Sequence, residues 1–470
     1  MRKNDKIKIT LFLLILVTLI TWFVAGGTFD AGGQFSQAEI TRMGIYDIFI
    51  ATMYSIYYKI ADVYYLFALG IFYAVLSKTK FYSVLVDKLV SKIKDKEHIF
   101  ILSSTFIVAI ITSLTNNILI PFAFVPFIIT VMLKCGKSRT LAIATGLGGI
   151  FIGIAGLTFG TYGVKNLMDA AKLKYVQGIG FKIALFVISY ILYNLYTIIS
   201  LNKQYKDVDE TKYDLFLPEK YEEPKRKSKR IAIWPSLTML IILIIVLIIS
   251  YIDWQSSFRV NLFTKIENGF ESLSIRGIPI LFNLVGSVKA FGSITDSLAG
   301  ATYLLITSFV IGLFNKMSLD DYFDNIKDGI SKMSKIVLLY VLIYSIFTII
   351  MWDGWPTSII HLLIGNGKFN MFKVLIIGIV CSFFFLENNY TGYVLGEFVA
   401  SSYSNKIVPA ILLLNSSSAL VMTFAPTSII LMITLALLDL PYKDWLKFIW
   451  KYTISLLIAI LIVFSIICYM

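Results

Sequence analysis

Apolar runs about twenty residues long recur along this chain, and they constrain its fold more than any other feature. Examples are 60–77, 178–200, 231–252 and 449–468. A run of roughly 18 apolar residues is long enough to cross the hydrocarbon layer of a membrane as a helix. Hydrophobic residues make up 57% of the 470, whereas soluble domains are only about half apolar. The sequence therefore predicts an all-α polytopic membrane protein.

The charge and cysteine content narrow the class further. The formal net charge is +13, from 42 Lys and Arg against 29 Asp and Glu. Because Lys and Arg accumulate on the cytoplasmic loops of membrane proteins, topology explains this excess better than a nucleic-acid partner, and none is expected. The three cysteines, Cys135, Cys381 and Cys468, have neither disulfide nor metal-site spacing. Apart from a Na⁺ ion, considered below, no cofactor is predicted.

Placing the N-terminus in the cytoplasm gives a consistent path for the whole chain. The run 9–25 is interpreted as an uncleaved first span, because it is long for the apolar core of a signal peptide. A basic linker at 201–230 separates two halves. The predicted location is a bacterial plasma membrane, with the N-terminus inside and the C-terminus outside. Three parts follow: 1–200, 201–295 with a connector span at 231–252, and 296–470.

The second half is predicted to repeat the first in the opposite orientation. Each half contains two apolar arms around a polar tip, at 99–133 and 371–403, and then a helix interrupted by small residues or proline, at 140–164 and 407–438. The predicted fold is an inverted repeat of about nine transmembrane helices, two re-entrant hairpins and two broken helices. In the alternative, which stays open, the hairpin arms cross the membrane completely.

Several segments are predicted to lie on the membrane surface. On the cytoplasmic side these are 78–97 and 318–333, whose apolar side chains fall on one helical face among charged residues. The second of them is predicted to be separate from a span at 335–352. On the outer side, 353–370 and a helix near 277–288 are assigned to the surface.

A C-terminal motif carries a resemblance to a known family. It consists of Ala425-Pro426-Thr427-Ser428 and, further on, Leu440-Pro441-Tyr442-Lys443-Asp444-Trp445. With the architecture, this motif resembles the C4-dicarboxylate anaerobic carrier family (DcuC/YfcC type) of the ion-transporter superfamily, and more distantly the p-aminobenzoyl-glutamate transporter family. The resemblance implies a secondary carrier in which a hairpin-bearing unit moves against a fixed scaffold, and it implies a homodimer.

The hairpin tips and the broken helices supply the predicted solute site. Irregular backbone at membrane depth survives only where protein or a water-filled cavity covers it, and many carriers bind their solutes at such breaks. Amide and hydroxyl side chains offer hydrogen-bond donors to a carboxylate and oxygens to Na⁺. The candidates are Thr115, Asn116, Asn117 and Thr158 in the first half, and Asn388, Asn389, Thr391, Asn415, Thr427 and Ser428 in the second.

Within this set, Asn116, Asn388 and Thr427 are the predicted ligands of a Na⁺ ion. The same residues also have a plainer interpretation, because an Asn-Asn pair closes tight turns, and the matched second copy is what favours a site. The run Ser416–Ser418 is interpreted as small-residue packing between helices. For the glycines between Gly146 and Gly160, packing and a site role fit equally well.

Glu387 is the predicted group for coupling transport to a proton. It precedes the second asparagine pair, and a carboxylate at membrane depth is costly and usually functional. Desolvation there favours the neutral form. If the turn lies at the outer surface instead, Glu387 is an ordinary solvated residue. Asp62, Lys165 and Lys289 fall near the ends of spans, where snorkelling explains them.

The leading interpretation is a secondary active carrier of a small anionic or zwitterionic solute, such as a carboxylate, a dicarboxylate or an amino acid, driven by Na⁺ or H⁺. A membrane-embedded enzyme is one alternative, but the sequence has no His-Glu-x-x-His motif and no large catalytic loop. No enzyme activity is therefore expected. A channel is the other alternative, and saturable, gradient-coupled uptake distinguishes it from a carrier.

The charge distribution makes a prediction about topology. Cysteines substituted for Lys88 and Lys227 are expected to resist a membrane-impermeant thiol reagent in intact cells, whereas a cysteine at Met470 is expected to react, because positive loops stay in the cytoplasm. Labelling of permeabilised cells is the control. Strong labelling at position 227 in intact cells contradicts the whole path.

Overall fold

The computed structural model describes residues 4–30, 32–202, 217–218, 233–275, 278–280, 283, 289–364, 369–385 and 388–469. Most of the linker at 201–230, most of the predicted helix near 277–288, and Glu387 lie outside these ranges. At the start of the second hairpin arm the backbone of Asn388 and Asn389 is described, but their side chains are not.

Helices dominate the first part of the chain. They are α1 Asp5–Ile20, α2 Ile45–Tyr58, α3 Ile60–Ser77, α4 Lys80–Ile93, α5 Glu97–Leu114, α6 Leu119–Phe122, α7 Val125–Lys134, α8 Arg139–Ala155, α9 Lys165–Ala170, α10 Ile179–Ile199, α11 Ile233–Ser250, α12 Trp254–Phe258 and α13 Leu262–Ser272. Two small antiparallel hairpins accompany them, β1 Gly27–Phe29 with β2 Phe35–Gln37, and β3 Ser274–Ile275 with β4 Ile278–Pro279.

The second part is also helical. Its helices are α14 Leu298–Phe314, α15 Leu319–Asp353, α16 Trp355–Ile364, α17 Met371–Phe384, α18 Asn388–Ser402, α19 Ile407–Met422, α20 Ile429–Leu437 and α21 Tyr442–Tyr469.

Among the described residues, 7 helical segments are long and apolar enough to cross a membrane. They lie in α3, α5, α10, α11, α15, α19 and α21, and shorter apolar helices such as α8, α14 and α17 stand between them. The prediction of an all-α polytopic membrane protein is confirmed. The number of spans, the inverted repeat and the three-part division stay predictions.

Many helices begin and end close to the predicted positions, because their limits are set by local sequence. Hairpin arms appear on both sides of each asparagine pair, as α5 and then α6–α7 in the first half, and as α17 and α18 in the second. The first hairpin differs in one respect, since its second arm is divided between α6 and α7. Pro121 and Pro126 lack the N–H group that a continuous helix requires there.

The predicted separation of a surface helix at 318–333 from a span at 335–352 is wrong. The structure has one helix of 35 residues, α15. Ser318 begins it by accepting a hydrogen bond from Asp321 N at 3.1 Å, and Gly354, with φ of +75°, ends it in the left-handed conformation. No proline interrupts the segment, and a charged first part followed by an apolar second part is compatible with a single helix.

The segment that follows α15 is also more closely packed than a plain surface loop. The segment 353–370 contains α16, in which Trp355 is 1% exposed and packs against Phe384 of α17, with ring centroids 4.8 Å apart. The start of this segment also contacts the N-terminal part of the chain, because Ser358 donates to Ala25 O at 2.7 Å.

The central contact of the fold is between α3 and α15. The two helices touch at Gly70 and Gly329, where backbone lies against backbone. A Cβ atom added at Gly329 would stand 2.6 Å from Ile71 Cα, and one added at Gly70 would stand 2.7 Å from Gly329 O. Glycine is therefore required at both positions for the two helices to approach this closely.

This contact predicts that Gly329→Ala lowers the free energy of unfolding by about 1–3 kcal/mol, since the added methyl group forces two backbones apart. Thermal unfolding in detergent measures the effect. Gly180→Ala in α10 is the matched control, because nothing lies within 4 Å of a Cβ atom added there. Equal stability of the two variants contradicts the close approach.

Candidate functional site

The tip of the first hairpin is held by backbone of the middle segment of the chain. Asn116 N donates to Tyr251 O at 3.0 Å, and Asn116 Nδ2 donates to Ile294 O at 3.1 Å. Thr115, which is 1% exposed, pairs with Ile252 in an isolated β-bridge. These bonds satisfy part of the irregular backbone between α5 and α6 and fix the direction of the two asparagines.

Asn117 connects this tip to a carboxylate. Its Oδ1 accepts a hydrogen bond from Leu119 N at 2.9 Å, and its Nδ2 donates to Ser297 Oγ at 3.0 Å. Ser297 Oγ in turn donates to Asp62 Oδ1 at 2.5 Å, and Tyr340 OH donates to Asp62 Oδ2 at 2.6 Å. Four separate segments of the chain therefore meet at Asp62.

The second break, between α19 and α20, contains the motif Ala425-Pro426-Thr427-Ser428. Here side chains at the start of α21 donate hydrogen bonds to backbone carbonyl groups just after the end of α19. Trp445 Nε1 donates to Thr423 O at 2.9 Å, and Tyr442 OH donates to Phe424 O. The two parts of the family-like C-terminal motif thus act together, because the second part satisfies carbonyl groups that the first part leaves without helical partners.

Three polar oxygens beside the first tip and the second break have no hydrogen-bond partner among the described residues. They are Asn116 Oδ1, Thr427 Oγ1 and Ser428 Oγ, and each of these atoms is buried. Thr427 as a residue is only 2% exposed. Buried polar groups are nearly always paired, so a set of unpaired ones indicates a site shaped for a ligand.

The three residues that carry these oxygens line one cavity of about 240 Å³. Its walls come from the junction of α2 and α3, the tip of the first hairpin, the start of α14, the middle of α15 and the second break. Other lining residues are Lys59, Asp62, Asn117, Thr295, Asp296, Ser297, Tyr340, Tyr344, Ser382 and Ser418. We call this space the central cavity.

A second cavity of about 480 Å³ adjoins the central cavity, because Asn116 and Thr295 line both. It lies against α9, α12 and α13, and its charged lining groups are Lys165 and Asp253. We call it the vestibule. Asn116 therefore borders both cavities.

The central cavity combines positive and negative charge in its lining. Three helices of nine or more residues, α3, α14 and α20, begin at its wall, and helix N-termini carry partial positive charge. Lys59 Nζ adds a full positive charge; it lies 3.9 Å from Asp62 Oδ2 and 4.6 Å from the centre of the Tyr344 ring. Asp62 and Asp296 are the negatively charged residues of the lining.

The first break, after α8, differs from the second break because its polar groups are paired with neighbouring helices. Gly160 N donates to Ser113 O at 2.8 Å, and Thr158 Oγ1 donates to Ser113 Oγ at 3.2 Å. Lys182 Nζ donates to Thr158 O at 3.4 Å, and Asn415 Nδ2 donates to Ile154 O at 3.1 Å. These bonds join the break to α5, α10 and α19, and Tyr162, further along the same segment, lines the central cavity.

The predicted site residues therefore fall into two groups. Asn116, Asn117, Thr427 and Ser428 meet at the central cavity. Thr115, Thr158 and Asn415 lie in the protein around it and make structural hydrogen bonds or a β-bridge, as described above. Thr391 is 2% exposed beside Cys381, away from the cavity lining. The side chains of Asn388 and Asn389, and all of Glu387, lie outside what the structure describes.

The serines and glycines that the sequence analysis considered as packing residues have different roles in the structure. Ser416 and Ser417 donate to carbonyl groups one turn earlier in α19, at 2.9 and 2.8 Å, as packed helix serines do, whereas Ser418 reaches the cavity. Gly149 and Gly153 let α8 touch α5, since added Cβ atoms would stand 2.5 Å from Val108 Cβ and 2.4 Å from Thr112 Cβ. These glycines have a packing role.

The sequence analysis did not assign three of the cavity residues to the site. Asp62 was attributed to snorkelling at a span end, Lys59 was not considered, and Tyr340 belongs to a predicted span. One signal was available: Lys59 stands between two helical segments, 45–58 and 60–77, and Asp62 follows three residues later in the first turn of the second. Charged residues at such a junction mark an interrupted helix as well as a membrane boundary.

Comparison with known proteins gives a match and two similar structures. The chain matches the family DcuC, C4-dicarboxylate anaerobic carrier, over residues 4–469. It is similar to the YdaH transporter of Alcanivorax borkumensis, at 12% identity and a TM-score of 0.43 over 99% of this chain and 98% of that one. It is also similar to MtrF of Neisseria gonorrhoeae, from a class of antimetabolite efflux pumps, at 11% identity and a TM-score of 0.39 over 98% and 94%. No curated protein matches it.

The unpaired hydroxyl of Thr427 makes a prediction about stability. Thr427→Val replaces a buried polar group with a methyl group of the same shape, and we expect the free energy of unfolding to rise by about 1–3 kcal/mol. Thr434→Val in α20 is the control, because Thr434 Oγ1 donates to Ile430 O at 2.6 Å and removing a paired hydroxyl group brings no such gain in stability. A Thr427→Val variant less stable than Thr434→Val in a thermal melt contradicts the unpaired assignment.

Proposed function

We propose, on the premise that the chain belongs to the C4-dicarboxylate anaerobic carrier family, that its solute is a C4-dicarboxylate bound in the central cavity. Membership of this family makes the protein a secondary transporter of carboxylate-type solutes and not an enzyme. Its substrate is therefore a small molecule, and its surroundings are a lipid bilayer that it crosses several times.

The observation that carries the proposal is the set of unpaired oxygens in the central cavity. Thr427 and Ser428 each offer a hydroxyl donor that has no partner among the described residues, beside the first turn of α20. A carboxylate accepts hydrogen bonds from hydroxyl groups and from the free N–H groups of a helix start. Lys59 also lines the cavity and offers a positive charge to the second carboxylate of the solute.

The size of the cavity supports a small solute. Pockets for drug-sized ligands occupy about 300–1,000 Å³, and the central cavity measures about 240 Å³. The adjoining vestibule, with Lys165 at its wall, supplies a wider aqueous approach. Asn116 borders both cavities, and its unpaired Oδ1 and its position give it a role in admitting the solute.

Transport requires the cavity to open to each side of the membrane in turn. The cavity has one wall made of α3, α14 and α15 and another made of the first hairpin and the second break. We propose that the first wall is the fixed scaffold and that the hairpins and broken helices move against it. Discontinuous helices at the solute site are typical of carriers that work this way.

We propose that transport is coupled to a cation, Na⁺ or H⁺. For Na⁺, two of the predicted ligands, Asn116 Oδ1 and Thr427 Oγ1, are unpaired oxygens in the same cavity, which fits a hard monovalent ion. For H⁺, Glu387 is the candidate from the sequence. Uptake measured with and without Na⁺ at constant pH, and at several pH values without Na⁺, distinguishes the two.

Three further points belong to the proposal. The membrane is the bacterial plasma membrane, with the N-terminus in the cytoplasm and the C-terminus outside. The protein forms a homodimer, and the exposed aromatic face of α2 is available to a partner or to lipid, with Tyr46 75%, Phe49 67% and Tyr57 73% exposed. Cross-linking of cysteines placed on this face tests the homodimer.

Uptake of a radiolabelled C4-dicarboxylate into proteoliposomes tests the function itself. A carrier gives saturable uptake, exchange with solute inside the vesicles, and accumulation above equilibrium when a cation gradient is imposed. A channel, the alternative, gives uptake that does not saturate in this way and never exceeds electrochemical equilibrium for the solute. Mono- and tricarboxylates in the same assay define the solute class.

We predict that Ser428→Ala raises the apparent KM for the dicarboxylate about tenfold or more, because a hydrogen bond to a charged group is worth about 1.5–3 kcal/mol. Ser416→Ala is the matched control, since Ser416 Oγ donates to Leu412 O at 2.9 Å within its own helix. The KM of that variant should be unchanged. If both variants transport like the wild type, the solute does not bind at the second break.

A further inference from the structure

Asp62 is a partly buried carboxylate that the sequence analysis explained as a span-end residue. Its partner Tyr340 lies in the apolar second part of α15, about 20 Å from the Asp353 end at about 1.5 Å per residue. Asp62 is only 18% exposed, and it lines the central cavity. A carboxylate at such depth is costly and is usually part of the function.

Both carboxylate oxygens of Asp62 accept a hydrogen bond from a hydroxyl group. Ser297 Oγ donates to one oxygen at 2.5 Å and Tyr340 OH donates to the other at 2.6 Å. Lys59 Nζ lies 3.9 Å from Oδ2 and compensates the charge. A proton added to Asp62 changes all of these contacts, since the protonated acid is a donor on one oxygen and carries no charge to attract Lys59.

The charged and titratable groups facing Asp62 come from each neighbouring element. Lys59 lies at the junction of α2 and α3, and Tyr340 belongs to α15. Tyr251 follows α11 and interacts electrostatically with both Asp62 and Asp296, which precedes α14. The tip of the first hairpin contributes Asn117, which does not titrate. Within this set Asp62 is the one carboxylate that accepts hydrogen bonds from two buried hydroxyl groups.

We propose, building on the proposed function, that Asp62 takes up the coupling proton and that Lys59 then pairs with a carboxylate of the solute. Protonation of Asp62 ends its attraction for Lys59 and makes the central cavity one unit more positive. An anion then binds more tightly. Conversely, a bound dicarboxylate repels the ionised form of Asp62 and favours proton uptake, because the coupling between two binding events is reciprocal.

A chain of hydrogen bonds carries this change to the hairpin. Ser297 Oγ donates to Asp62 and accepts from Asn117 Nδ2 at 3.0 Å. When Asp62 becomes a donor toward Ser297, the Ser297 hydroxyl has to turn its hydrogen elsewhere, and its bond from Asn117 changes. The tip of the first hairpin thus responds to the protonation state of a residue in α3. One proton moves from cavity water to a carboxylate oxygen, and no other bond is made or broken.

The variant that tests the proposal is Asp62→Asn, which imitates the neutral acid. In proteoliposomes we expect it to bind a C4-dicarboxylate and exchange it across the membrane at a rate that no longer depends on pH. We expect accumulation driven by an imposed pH gradient to be lost. Asp328→Asn is the matched control, because Asp328 pairs with Lys332 at 2.7 Å on the surface part of α15, and it should behave as the wild type.

Tyr340→Phe is a second variant that leaves the carboxylate in place. The variant removes one of the two hydroxyl donors to Asp62, so the pH dependence of exchange should shift. A merely structural role for the Asp62 contacts predicts lower protein stability without this shift. The second variant also keeps the test decisive if Asp62→Asn does not fold.

The outcomes separate this proposal from the function on which it rests. If the wild type takes up no C4-dicarboxylate under any gradient, the proposed solute and the coupling scheme both fail. If the wild type accumulates it but Asp62→Asn keeps full pH-driven accumulation, the proposal is overturned and the solute stands. Dependence on a Na⁺ gradient without any dependence on pH overturns it too, as does loss of pH coupling in Glu387→Gln alone.

Discussion

The structure of this site depends on the need to satisfy backbone groups wherever a helix is interrupted inside a membrane. At the break between α19 and α20, Tyr442 and Trp445 supply hydrogen bonds to the carbonyl groups of Phe424 and Thr423. The irregular backbone is therefore stable without drawing on the side chains of the break. Thr427 and Ser428 remain unpaired, which is why they are available to a ligand.

The two breaks are unequal, although the sequence suggests matching roles. In the first, Ser113, Thr158 and Lys182 bind one another and close the gap. The tip of the first hairpin, with Asn116 and Asn117, bonds instead to residues just after α11 and at the start of α14. The central cavity therefore combines the tip of the first hairpin with the break of the second half, and α3, α14 and α15 complete it. This asymmetry places a charged pair, Lys59 and Asp62, opposite a wall of neutral donors.

The sequence predicted the parts of this arrangement that depend on neighbours along the chain. Helix limits follow apolar runs and capping residues, and the Asn116-Asn117 tip and the Thr427-Ser428 break are visible as polar interruptions. Asp62 was misread because its partners Ser297 and Tyr340 are 235 and 278 residues away. A carboxylate near the end of an apolar run looks the same whether it reaches the surface or a cavity. Only the packing of α3 against α14 and α15 distinguishes the two.

The most direct test of the account is to locate the bound solute. A crystal of the protein soaked with a bromine-labelled C4-dicarboxylate, and measured at the bromine absorption edge, reports its position without any assumption about transport. We expect one anomalous peak in the central cavity, between Lys59 and the start of α20. A peak confined to the vestibule, or bound solute away from both cavities, contradicts the claim that the unpaired oxygens of Asn116, Thr427 and Ser428 form the solute site.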